Sequence, residues 1–292
     1  MLTVNWTNPY AGAAGRWLRG NLHTHTHPAS GCGTEAPARV LARYEDAGYD
    51  FLALSDHLAM VEPPATRLAL IPGIEWNSDR GEHAGVYAAD PAFPRRAIAL
   101  RDQAELLAAH AETDGLLVMN HPNWQLTPHY RREALLAKPH YDGLEIYNGV
   151  IERLQGYAIS TDKWDYLLAN GRRVLGFASD DSHVPGDIAL GWLMVRSRDE
   201  TPAGLLRALQ AGHFYCSTGV AISDVGRDGN RVTVASPDAQ AISLIADGGR
   251  RLARVTGGAM TASFDDVTVS YLRFELYGRG AAMAWTQPFF RE

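Results

Sequence analysis

The sequence predicts an α/β protein: a barrel of parallel β/α units over residues 1–218, followed by a small antiparallel β-sandwich over residues 219–292. Three observations carry that expectation. Short apolar runs alternate with amphipathic helical stretches from about residue 18 to residue 218. Polar residues, histidines above all, stand just after several of those runs. Beyond residue 219 the chain turns to β-branched segments punctuated by glycine pairs. Strand, loop and helix in repetition indicate parallel units, and the carboxyl-end rim of such a barrel is where active sites form. An open doubly wound sheet is the competing architecture, but no glycine-rich phosphate fingerprint follows the first strand.

The elements justify themselves in order. Residues 37–48 place Val40, Leu41, Tyr44 and Ala47 on one helical face, and Gly48 stops the helix. Phe51-Leu52-Ala53-Leu54 reads as a buried strand ending in Ser55-Asp56-His57, and Leu68-Ala69-Leu70-Ile71 leads through Pro72-Gly73 to Ile74-Glu75. Residues 101–113 are helical by composition. Leu116-Leu117-Val118-Met119, Leu144-Glu145-Ile146-Tyr147 and Val174-Leu175-Gly176-Phe177 are further strands. Thr201 to Ala211 is a helix with Thr201 as N-cap and Pro202 in its first turn. In the C-terminal part, Arg231–Val234, Ile242–Ile245 and Val267–Val269 are strand-like. Residues 271–277 alternate, with Leu272, Phe274 and Leu276 on one face and Arg273 and Glu275 on the other. Gly248-Gly249 and Gly257-Gly258 mark turns. The one paired carboxylate in this region, Asp265-Asp266, would point to opposite faces of a strand, so no ligands are expected there.

Bulk properties narrow the function. The 292 residues are 46% hydrophobic and 21% charged, ordinary for a globular chain with a real core. A net charge of −6 leaves no basic footprint for nucleic acid and no polybasic patch for a membrane surface. A small-molecule substrate is expected instead, and a phosphorylated one is compatible with this charge. The 2 cysteines, Cys32 and Cys216, lie far apart, so a reducing compartment is the simpler reading than a disulfide framework. With no signal peptide visible and no apolar run near the roughly 20 residues that span a bilayer, the expectation is a cytoplasmic protein.

The placement of the histidines decides the chemistry. His23-Thr24-His25 on a strand shares one face, so both imidazoles reach one ion. Glu75 closes an apolar run where an unpaired carboxylate is costly to desolvate, and a cation removes that cost. His121 sits before Pro122, which bends the chain out of the strand toward the rim. Asp181 and His183 form a second i, i+2 pair. His57 and His83 stand at the ends or beginnings of apolar runs. Each of these is weak alone, since a lone histidine beside a strand is more often a hydrogen-bonded core or capping residue. Together at one rim they read as a multinuclear site, and nitrogen and oxygen ligands point to Zn, Mn or Fe.

The ordered set Gly20-Asn21-Leu22-His23-Thr24-His25-Thr26, Leu54-Ser55-Asp56-His57, Pro72-Gly73-Ile74-Glu75, Glu82-His83, Asn120-His121-Pro122 and Ser179-Asp180-Asp181-Ser182-His183 resembles the PHP (polymerase and histidinol phosphatase) superfamily. Asn8-Pro9-Tyr10 and the run Arg16-Trp17-Leu18-Arg19 ahead of it look most like the CehA/McbA-type metallohydrolase branch. The resemblance covers roughly residues 16–218. It implies a distorted (β/α)7 barrel with two or three divalent ions. One ion would be held by His23, His25, Glu75 and Asp181, and a second by Glu75, His83 and His121, with Glu75 bridging. A third, where present in the family, would use His57 and His183 with an acid or a histidine from the segment after the first motif. Here the sequence departs from the family: Ser30-Gly31-Cys32-Gly33 stands where the acid is expected, leaving Cys32 or His27 to substitute.

A hydroxide bridging two ions would be the nucleophile, with Asp181 or His183 as catalytic proton carrier. Arg80 is a candidate for an anionic substrate group, and Asn120, Trp124 and Asn148 are candidate pocket residues. The wider superfamily implies a phosphoesterase; the closer branch implies an amide, ester or carbamate hydrolase. A degenerate barrel acting as a metal-binding scaffold is the third reading, and fold analogy alone does not choose among them.

Overall fold

The structure, a computed structural model, describes residues 5–125, 129–265 and 267–292. In the first 218 residues the order is β1 (Arg16–Asn21), α1 (Pro37–Asp46), β2 (Phe51–Leu52), β3 (Ala69–Leu70), β4 (Gly73–Asn77), β5 (His83–Tyr87), α2 (Ala92–Ala97), α3 (Gln103–His110), β6 (Leu116–Met119), α4 (Arg132–Ala137), β7 (Gly143–Asn148), α5 (Thr161–Ala169), β8 (Leu175–Ser179), β9 (Trp192–Ser197), α6 (Pro202–Gln210) and β10 (Phe214–Ser217). A short 3-10 turn, Gly149–Arg153, follows β7. The expected helices form where their signals lie. Pro37 opens α1, which buries Val40, Leu41 and Tyr44. Asp102 caps α3, and the Thr201 side chain accepts from the Gly204 N–H at the start of α6.

Strand ladders do not close a barrel. Two sheets share the work: a five-stranded sheet in the order β4-β5-β6-β7-β8, and a long sheet that includes β10-β9-β1-β2-β3. Isolated parallel bridges join their carboxyl ends, Thr24 to Ser182 and His57 to Glu75. The uniformly parallel expectation also gives way. Only residues 78–82 separate β4 from β5, too short for a helical crossover, so the two pair antiparallel. β5 pairs antiparallel with β6, and β1 with β9.

The C-terminal residues form β11 (Asp224–Asp228), β12 (Arg231–Ala235), β13 (Ala241–Ala246), β14 (Arg250–Thr256), β15 (Ala259–Ser263), β16 (Tyr271–Tyr277), β17 (Met283–Thr286) and β18 (Phe289–Phe290). β11-β12-β15 make a separate three-stranded sheet, whereas β14-β13-β16-β17 continue the long sheet through the pairing of β17 with β10. The sheet therefore runs across the 218/219 boundary, although the apolar cores divide near it. One cluster gathers around Phe51, Trp76, Leu144 and Trp164; the other gathers around Val232, Phe264 and Phe274 and takes in Trp6 and Tyr10 from the N-terminal end. Residues 267–269, expected as a strand, belong to none; Val269 is buried in the second core without ladder partners. The alternation of β16 is present, but both faces are covered. Arg273 is buried against α5, with guanidinium bonds of 2.6 and 2.8 Å to Asp165 and 2.8 Å to Glu275. Among the described residues no helix is long and apolar enough to cross a membrane.

Candidate metal centre

The site is assembled where the two sheets meet. Beyond β1 the chain stays extended, so His23 and His25 point the same way while Thr24 points back. Thr24 is fixed there by Ser55 and by the Tyr44 hydroxyl at 3.1 Å. Glu75 enters from β4, His83 from the start of β5, His121 from the end of β6, and Asp181 and His183 from the loop after β8. Two of these backbones are strained: His121 has φ 27° and Asp181 φ 52°. Left-handed conformations in non-glycine residues cost on the order of 1–3 kcal/mol and persist where the surroundings impose them, often at functional sites.

Glu75 is the hub. Its Oε1 lies 3.0 Å from His83 Nδ1 and 3.1 Å from His121 Nε2, and accepts from Asn120 Nδ2 at 3.0 Å. Its Oε2 lies 3.2 Å from His23 Nε2, His25 Nε2 and His57 Nδ1. Asp181 Oδ1 adds contacts of 3.1 Å to His23 Nε2 and His25 Nε2. His23 Nε2 and His57 Nδ1 are buried without a hydrogen-bond partner. The approaches of these two nitrogens to Glu75, at 3.2 Å without a hydrogen bond, are spaced as those of ligands that share an ion about 2.0–2.2 Å from each. The donor set therefore fits divalent metal.

Three groups emerge: His23, His25, Glu75 and Asp181; His57, Glu75 and His83; and His25, Cys32 and His183. The first is the set the motifs implied. In the second, His57 stands with Glu75 and His83 rather than with His183, while His121 keeps its contact with the same carboxylate. In the third, His25 and Cys32 occupy the places expected for His57 and the acid. His27 is exposed and joins none of them.

The electrostatics follow from this crowding. Burial pushes His23 and His25 toward the neutral form, but Asp181 and Glu75 outweigh it, and both pKa values stand well above the usual imidazole range. Burial likewise raises Glu75 and Asp181, and the surrounding imidazoles reverse it, holding both carboxyls below their ordinary range. Burial opposes ionisation of Cys32 as well. Hydrogen bonds from His183, His25 and His57 prevail and bring its thiol down to about 4.

Of the expected substrate residues, Trp124 lines the cavity over the cluster. Asn120 and Asn148 sit beneath it: Asn120 anchors Glu75, and Asn148 Nδ2 donates to Glu145 and Asp181 at 2.8 and 3.2 Å. Arg80 is not brought there. It is exposed and lines a separate surface depression with Ser78, Asp79 and Glu82. Asp265 is exposed and bonded to Asn230 and Ser263, and Asp266 lies outside the described residues.

Sequence reasoning missed three contributors. Glu145 accepts from His23 Nδ1 at 2.8 Å and from the His121 N–H at 2.6 Å. Its mid-strand position in an apolar run is the same signal that singled out Glu75. Ser30 sits 3.1 Å from His25 Nδ1 and accepts from the His57 N–H, which no motif announces. Arg153 is the one arginine or lysine on the cavity wall among the described residues, held by Asp187 at 2.7 and 2.8 Å. The cavity is about 430 Å³, the size of a small-molecule site, with Trp124, Val150, Ile151, Leu154 and Val184 forming an apolar wall.

This arrangement defines an α/β protein with a buried cluster of histidine and carboxylate side chains, centred on Glu75, that could hold metal ions. No family model matches the sequence, and no curated protein matches it. Among solved structures it is similar to a two-domain protein from Bacteroides vulgatus containing a predicted PHP-like metal-dependent phosphoesterase, at 15% identity and TM-score 0.53, over 94% of this chain and 87% of that one. Lower similarity, at TM-scores of 0.42 and 0.41, links it to a putative metal-dependent phosphoesterase from Bifidobacterium adolescentis (16% identity, 60% of this chain, 89% of that one) and to an amidohydrolase from Chromobacterium violaceum (13%, 57% and 88%). The first of these likenesses shows a fold shared with a PHP-like structure, without the closed (β/α)7 barrel that the resemblance implied.

Proposed function

We propose that this chain is a hydrolase that cleaves a phosphoester of a small molecule at a centre of two or three divalent ions, with Zn, Mn and Fe as the candidates. The observation that supports it is the single carboxylate of Glu75 facing five imidazoles, two on one oxygen and three on the other. Ions held there would polarise the scissile group and make a water acidic enough to attack near neutral pH. The chain's own residues do the rest. Glu75 spans the first two groups and fixes their spacing. Asp181 keeps Oδ1 among the imidazoles and Oδ2 on the Asn148 amide, which places a second carboxylate beside the reacting centre to take a proton. The apolar wall excludes water from the substrate side. The name of the Bacteroides vulgatus structure favours phosphoester chemistry.

A second reading, an amide, ester or carbamate hydrolase of the CehA/McbA type, is favoured by the wall itself. Apart from the candidate ligands, the lining carries one cation among the described residues, Arg153, already engaged by Asp187. Leu154 on that wall, with Tyr157 and Ile159 close by in sequence, is among the large hydrophobic side chains left exposed. A doubly charged phosphate would meet little besides the ions. The test is a panel of phosphomonoesters, phosphodiesters, aryl esters and carbamates assayed with Mn or Zn. Highest kcat/KM on a phosphoester is the expected outcome. Preference for a carbamate or aryl ester replaces it with the second reading, and metal-loaded protein inert to the whole panel leaves a binding scaffold.

A further inference from the structure

We propose that Cys32 makes the third metal position of this chain a thiolate site, one that selects a soft or borderline ion such as Zn2+ or Co2+ over Mn2+ and Mg2+. The inference rests on the metal-centre reading above and adds the ligand chemistry of one position.

The loop that carries Cys32 is built against the cluster. His27 N–H donates to the Glu35 carbonyl at 2.7 Å, and Ser30 N–H to the Thr26 carbonyl at 2.9 Å. A Cβ on Gly33 would lie 2.8 Å from the Thr26 carbonyl group, so the loop closes on Thr26 only because residue 33 is glycine. Ser30 Oγ meets His25 Nδ1 at 3.1 Å and accepts from the His57 N–H at 2.9 Å, which ties the loop to two of the imidazoles. Cys32 thereby comes onto the cavity lining beside His57 and His183, with one ligand atom each of His25, Cys32 and His183 within 4.8 Å of one another.

His183 is the imidazole of this group that does not face Glu75. Its Nδ1 donates to the Asp181 carbonyl at 2.7 Å, which fixes the tautomer and leaves Nε2 with the lone pair a ligand needs. Two neutral imidazoles alone leave a divalent ion without charge compensation. Among the described residues, the carboxylates near His183 are Asp181, at 3.6 Å from its Nδ1 and already shared with His23 and His25, and Asp187, occupied by Arg153; the remaining ligand atom is the Cys32 sulfur, which binds a metal as thiolate. Sulfur is the charge this position supplies, and thiolate ligands favour Zn2+ and its analogues over the oxygen-seeking Mn2+ and Mg2+.

Cobalt reports sulfur ligation without any assay of hydrolysis. Titration of the metal-free protein with Co2+ should give three equivalents, the third bringing a near-ultraviolet sulfur-to-cobalt charge-transfer band. Titration with Mn2+ should stop at two. Cys32→Ser should bind two cobalt ions and lose the band, and Cys32→Asp should recover a third equivalent, now open to Mn2+, without the band. Cys216→Ser should keep the band, because Cys216 is fully buried and bonded to the Gly176 carbonyl. In the wild-type protein, metal should also protect Cys32 from alkylation, a readout that needs no variant to fold. Two cobalt equivalents without a band, or a band that survives Cys32→Ser, overturn the assignment while leaving the metal centre standing. Failure to bind cobalt at all overturns both.

Discussion

Glu145→Gln tests how the cluster is held rather than what it holds. The two oxygens of Glu145 serve different partners. Oε1 takes the His23 Nδ1 hydrogen at 2.8 Å and the Ser179 hydroxyl; Oε2 takes the His121 N–H at 2.6 Å and an Asn148 amide hydrogen at 2.8 Å. A glutamine must put its NH2 on one side. Facing His121 and Asn148, it meets a backbone N–H that cannot accept and an amide that could accept only by flipping away from Asp181, and it leaves a buried backbone N–H unpaired at about 1–3 kcal/mol. Facing His23 and Ser179, it meets a hydroxyl that can rotate and an imidazole that can accept on Nδ1 if its proton moves to Nε2. The second arrangement is the cheaper one, and it removes the lone pair from the nitrogen that points at Glu75 and Asp181. Partners of this kind are worth about 10- to 100-fold in metal affinity, or about 1.4–2.7 kcal/mol. The assay is a metal titration against a competing chelator, with affinity for the tightest equivalents compared between wild type and variant. Ser179→Ala, which spares the tautomer, should stay near wild type. Wild-type affinity in Glu145→Gln would refute the argument that this carboxylate sets the His23 tautomer.

Three further outcomes follow from the same geometry. Glu75→Gln should strip both ions of the first two groups and cost turnover about 100-fold or more, at or beyond the upper end for an outer partner; full metal content with near wild-type turnover would show that the carboxylate does not bridge. Chelation should lower the melting temperature: ions present at 100 times their Kd stabilise by about 2.7 kcal/mol, or roughly 4–5 °C for 292 residues, and an unchanged melt in excess chelator would count against a metal centre. Arg273→Ala should destabilise by about 3–5 kcal/mol in urea unfolding because it strands Asp165 as a buried charge; the paired replacement Arg273→Met with Asp165→Leu should lose much less, and equal losses would show that the ion pair is not the source.

How much was legible follows from the range of each signal. The helices at residues 37–46 and 202–210 announced themselves through proline, a cap and an apolar face, all local. The pairing of β4 with β5 was equally local, a five-residue turn that excludes a crossover, but it was read within a uniform parallel pattern. The short helices at residues 92–97, 132–137 and 161–169 carry few turns and weak periodicity, so their packing rather than their sequence defines them. Val267–Val269 shows the converse: β-branched residues need no ladder when Val269 is buried in the core and Val267 packs against it from a segment without strand partners.

The candidate site divides along the same line. Histidines at strand ends are visible because the pattern of a strand says where its end is. Which imidazoles share an oxygen depends on how two sheets meet, and no spacing along the chain encodes that. His57 left its expected group for that of Glu75 and His83, and His25 reaches the third group as well as the first, for this reason, since the bridge from His57 to Glu75 joins sheets whose strands are separated by the whole β2–β4 excursion. Glu145 and Glu75 are equivalent in sequence, each a carboxylate inside an apolar run, yet one faces five imidazoles and the other holds one of them from behind. A buried carboxylate in a strand thus identifies a cation or a donor network as its necessary partner, and only the direction of its neighbours tells which.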